Sequence, residues 1–126
     1  MRLLLLFTVL GGLGSSAAAQ SVPEPARLTF SPASPNYAGL DVAAFAMRFY
    51  PAPAVEAAQS GSAVLECEAG PASRPVNCTV VEETPGGFYF GAASLRMVPQ
   101  FIVSGSDGRT LREGERFRYK FVLRPG

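Results

Sequence analysis

The chain has 126 residues, of which 11 are basic, 10 acidic and none is histidine. That balance excludes a general nucleic-acid binder, which would carry a basic excess. The missing histidine excludes Ser-His and Cys-His catalytic couples.

Met1-Arg2 is a short basic start, and residues 3–13 form an apolar run. Ser15-Ser16-Ala17-Ala18-Ala19 then supplies the small residues that a signal peptidase cuts. Spanning a membrane takes roughly 20 apolar residues, so the run predicts a signal peptide over 1–19, cleaved near Ala19. The expected address is the periplasm; an inner-membrane anchor follows only if the segment is retained. The composition, rich in Arg, Ala, Gly and Pro, fits a GC-rich bacterial genome.

Residues 20–36 carry Pro23, Pro25, Pro32 and Pro35 and read as an extended Pro-rich linker, with Leu28-Thr29-Phe30 able to make a brief edge contact. One domain is expected over 37–126. Residues 40–49 have the spacing of an amphipathic helix that Tyr50-Pro51 interrupts, because the residue before proline avoids the α region. Residues 53–59 restart it, and Gly61 ends it.

Three strands follow. Ala63, Leu65 and Cys67 share one face of the first, and Val76, Cys78 and Val80 one face of the second. A symmetric turn over residues 70–75 sets Cys67 opposite Cys78. Two cysteines in an exported chain predict a single disulfide. A helix is expected over 87–98, stopped by Pro99, with a short extra strand possible at 100–104. The third strand alternates most regularly: Phe117, Tyr119, Phe121 and Leu123 against Arg116, Arg118, Lys120 and Arg124. If it runs antiparallel to the first, the fold is α+β: a three-stranded antiparallel sheet of order 2-1-3 with two helices on one face. Glu66 and Glu68 then lie beside Arg118 and Lys120, and the third strand is left as an open edge.

These residues resemble the C-terminal domain of the TonB family of energy transducers. Tyr50-Pro51-x-x-Ala54 opens the match and Gly61-Ser62-Ala63-Val64-Leu65 follows. Residues 78–85, Phe90-Gly91-Ala92-Ala93-Ser94-Leu95 and Phe117-x-Tyr119-x-Phe121-x-Leu123 complete it. The resemblance implies a periplasmic protein-binding module linked to transmembrane transport. Its open sheet edge would receive an extended segment of an outer-membrane receptor by strand addition. The receiving strand maps onto Arg116, Phe117, Arg118, Tyr119, Lys120, Phe121, Val122 and Leu123, with Tyr50 and Pro51 nearby. A linker over 20–36 reaches about 50 Å at roughly 3.1 Å per residue. That is short for a span of the periplasm, so a free-standing TonB-like domain is expected.

The alternative is an envelope protein that dimerises through the same edge. No catalytic residue, metal site or cofactor is expected, since Glu82 and Glu83 alternate on a strand and no cluster has metal-ligand spacing.

Overall fold

A computed structural model describes residues 24–126. The expected signal peptide lies outside them.

The fold is α+β, with five strands in one mixed sheet and three helices. The strands are β1 (Glu24–Phe30), β2 (Gly61–Ala69), β3 (Pro75–Thr84), β4 (Phe101–Gly105) and β5 (Arg116–Leu123). The helices are α1 (Val42–Met47), α2 (Ala52–Glu56) and α3 (Phe90–Met97). The sheet order is β3-β2-β5-β1-β4. The expected three-strand order survives inside it as β3-β2-β5, but the three-stranded, two-helix fold does not. The two additional strands come from the segment read as a linker and from the short stretch after Pro99. Proline did not prevent β1, because Pro25 is only its second residue, and the ladder to β4 runs from Ala26 to Phe30, clear of every proline.

β2 is the centre of the original trio. Ala63, Leu65, Cys67 and Ala69 are buried against the helices, while Glu66 and Glu68 lie on the opposite face. Its register with β3 shifts twice. Glu68 faces Val76 and Glu66 faces Thr79, so Asn77 and Cys78 together oppose Cys67; Asn77 takes φ 52° at this bulge. Val64 faces Glu82 and Leu65 faces Val80, which leaves Val81 extra. Each bulge changes which side chain faces inward. The second one turns Glu83 rather than Glu82 toward α3, where its carboxylate accepts the Gly91 N–H at 3.0 Å. A Cβ on Gly91 would collide with that carboxylate and lie 2.9 Å from Val80, so the close approach requires glycine.

α3 packs on β2 and β3, with Phe90, Ala93 and Met97 in the core. α1 begins at Asp41, whose Oδ1 accepts the Ala44 N–H at 2.7 Å. It ends sooner than its apolar spacing suggests, because Tyr50-Pro51 redirects the chain into α2. Phe45 is fully buried at the hub of an aromatic cluster, 4.7 Å from the Phe30 ring and 5.0 Å from those of Tyr37 and Phe49.

β1 lies beside β5 only briefly. Glu24 faces Phe117 and Pro25 faces Arg118 in a parallel ladder, after which β1 pairs only with β4, from Ala26↔Gly105 to Phe30↔Phe101. Its far end crosses toward the β2–β3 turn. There Arg74 Nη1 donates to the Ser31 carbonyl oxygen at 2.5 Å and to that of Phe101 at 3.3 Å. The sheet therefore bends until its two ends approach each other, with β4 touching both β3 and the turn.

Candidate strand-accepting site

β5 is an interior strand rather than the expected free edge. Every residue from Arg116 to Leu123 pairs with β2, and β1 covers the other flank at Phe117 and Arg118. Beyond Arg118 the ladder to β1 ends. Residues 119–123 therefore pair on the β2 side alone, and one row of their backbone groups lacks a strand partner among the described residues. The two outer edges are less available. β3 is broken by bulges at Asn77 and Val81, a common way of blunting an edge. β4 has only five residues, and Arg74 already donates to the Phe101 carbonyl at its start.

α1 flanks the open part of β5. Between them is a cleft of about 230 Å³ lined by Ala43, Ala46, Met47, Tyr50, Val122 and Leu123, with Arg124 and Gly126 at one end. Met47 is 44% exposed and Val122 56%, large values for apolar side chains facing one hollow. Alanines on α1 make the cleft: longer side chains at 43 and 46 would fill it. The volume is below the few hundred Å³ usual for small-molecule pockets and suits one side chain of a longer ligand. A larger concavity of about 460 Å³ is lined by residues 112–115 of a single loop, with no strand or helix for a wall.

Tyr50 and Pro51 meet the site from the helical side. Tyr50 is buried at the end of the cleft, its ring edge-on to Phe90 at 5.9 Å and its hydroxyl donating to the Gln59 carbonyl oxygen. Burial pushes its pKa above the ordinary tyrosine value. Pro51 instead faces a second hollow of about 160 Å³ with Phe49, Tyr89 and Arg96.

Cys67 and Cys78 form the expected disulfide, their Cα atoms 4.1 Å apart, but by another route than the symmetric turn: the pairs Ala69↔Pro75 and Glu68↔Val76 would set Cys67 opposite Asn77, and the bulge there brings Cys78 to it. The disulfide joins the bulged part of β3 to β2 and is compatible with an exported protein. No described helix is long and apolar enough to cross a membrane. Among the described residues, no group of three His, Cys, Asp or Glu side chains could hold a metal ion.

On the wet face of β5, Arg116 and Arg118 both form ion pairs with Glu66, so Glu66 lies beside Arg118 as expected but Lys120 does not lie beside Glu68. Glu66 faces Arg118 and Glu68 faces Arg116, while Lys120 faces Val64. The Glu66 carboxylate accepts from Arg118 at 2.9 Å and from Arg116 at 2.6 Å. Those hydrogen bonds, Arg118 first, hold its pKa below the ordinary value. Glu68 instead accepts from the Asn77 side-chain amide at 3.1 Å. Before β5, Glu115 binds the Arg109 guanidinium at 2.7 Å and the Arg112 N–H at 3.1 Å, which lowers its pKa to about 2.

A lowered carboxylate pKa adds stability that is complete above the unfolded value near 4.5 and disappears as pH falls through the folded one. The urea midpoint should therefore fall between pH 4.5 and about 2. Glu115→Gln should flatten part of that fall; an identical pH profile in the variant would show that the loop ion pair contributes nothing.

No family model and no curated protein matches the chain.

Proposed function

We propose that this protein is an exported binding module of the TonB C-terminal type. It takes an extended segment of a partner protein, such as the exposed tail of an outer-membrane receptor, by strand addition in the periplasm. The observation that carries this reading is the half-paired state of β5, where residues 119–123 have β2 on one side and an apolar cleft at the other. In strand addition the main chain supplies affinity and pockets for alternate side chains supply selectivity. An incoming segment would bond to the free backbone row of β5 and place one apolar side chain between Ala43, Met47 and Val122. No step of this reading is catalytic, and none needs a cofactor.

The test is a titration of the isotope-labelled domain with N-terminal peptides from receptors of its own organism. Shifts concentrated at 119–123 and at α1 are expected. Ala43→Phe, which fills the cleft at an exposed helix position, should weaken binding at least tenfold, the loss of about 1.4 kcal/mol, and leave the melting temperature nearly unchanged. A folded domain whose spectrum no peptide moves would remove the reading. A concentration-dependent dimer that peptide does not dissociate would replace it with self-association along the same flank.

A further inference from the structure

β1 matches the open flank of β5 in length and in pattern. The parallel ladder begins with Glu24 opposite Phe117 and Pro25 opposite Arg118. Continued in that register, β1 would bring Ala26 to Tyr119 and Leu28 to Phe121. It would end with Phe30 at Leu123, the last residue of both strands. The facing is matched as well. Phe121 and Leu123 are buried, and Ala26, Leu28, Phe30 and Tyr119 are partly buried against the same core.

β1 does not follow that register, because its far end is held elsewhere. Arg74 reaches the carbonyl oxygens of Ser31 and Phe101 from the β2–β3 turn. The Phe30 ring rests on Phe45 and Phe101 at 4.7 and 5.5 Å. The turn that aims Arg74 is itself unfavourable: Ala72 and Ser73, neither of them glycine, take φ values of 59° and 61°. Consecutive residues in the left-handed region persist only where surrounding interactions hold them.

We propose that the β1–β4 ribbon has two positions and that Arg74 selects between them. In the position seen here Arg74 holds β1 away from β5 and the acceptor flank is open. Released, the ribbon swings about the Glu24–Pro25 pairing, β1 completes its parallel register along β5, and the flank is closed by the chain's own strand. β1 and a partner segment compete for the same backbone groups. Apparent affinity for the partner then falls by the fraction of molecules that are closed. This regulation rests on the reading of β5 as a strand acceptor.

Hydrogen exchange, followed residue by residue on the mature protein without any peptide, tests it. In Arg74→Ala the amides of 119–123 that face away from β2 should exchange about tenfold more slowly than in the wild type, while those in β2 keep their protection. Unchanged or faster exchange at 119–123 in a folded variant overturns the proposal. If Arg74→Ala does not fold, Arg74→Gln decides, since its amide nitrogen ends two bonds short of the Nη1 position from which Arg74 reaches both the Ser31 and the Phe101 carbonyl oxygens. The same slowing in smaller measure supports the switch, and faster exchange throughout overturns it. Because no ligand is present, failure of the peptide titration would remove the acceptor reading and leave this result standing.

Discussion

Replacing Cys67 and Cys78 together by alanine should lower the stability of the domain by about 3 kcal/mol, the chain-entropy value for a loop this short. The two residues are 11 apart in sequence, so the unfolded chain gains only a modest loop's worth of freedom. The native state loses more specifically. β3 is an outer strand interrupted by bulges at Asn77 and Val81, and the disulfide fixes the first bulge against β2. Without it, the Asn77 bulge can slip, and a one-residue slip reverses every side chain beyond it. Glu83 would then lose the Gly91 N–H that it accepts at the start of α3. Guanidinium unfolding of the double variant and of the reduced wild type should agree. A loss well under 1 kcal/mol in both would mean that packing of Val76 and Val80 alone sets the register.

The parts of this fold visible in the sequence are those set by local pattern. Alternation in β2 and β5 reports one buried and one wet face, and Tyr50-Pro51 reports the break between α1 and α2. Two cysteines in an exported chain give the disulfide, whereas the symmetric turn misses the register by one residue, which the bulge at Asn77 makes up. The bulges left little such mark: Asn77 is a residue type that tolerates the left-handed region it adopts, but one such residue does not locate a bulge, and Val81 is an ordinary strand residue until opposed by one partner too few. β1 was hidden for a different reason. Four prolines between residues 23 and 35 signal an extended chain, but not whether that chain pairs with anything. Its pairing is decided by β4, more than seventy residues away. The status of β5 depends on the same distant event, so an interior strand read as an edge. The cleft is subtler still: it exists because residues 43 and 46 are alanine, and alanine in a short helix reads only as helix propensity.

Phe45→Ala should remove both the stability and the site, with a loss of about 4 kcal/mol, in the usual range for a buried phenylalanine. Phe45 is the largest fully buried side chain that α1 contributes. Its ring is the common neighbour of Phe30, Tyr37, Phe49 and Phe101, and each such aromatic pair adds roughly 0.5–1.5 kcal/mol beyond area alone. α1 has six residues and Phe45 is the one it buries, and a helix that short does not persist without its anchor. The alanine variant should therefore lose the wall formed by Ala43, Ala46 and Met47, and peptide binding with it, at temperatures where β2, β3 and α3 keep their signals. Phe45→Leu, which keeps most of the volume, should cost far less and retain binding. The contrast with Ala43→Phe separates two ways of losing the site: that change blocks the cleft on an intact α1, whereas Phe45→Ala removes one side of it. Circular dichroism melts alongside the peptide titration measure both. Peptide binding that survived Phe45→Ala at full strength would show that the β5 backbone alone recognises the ligand, with no part played by α1.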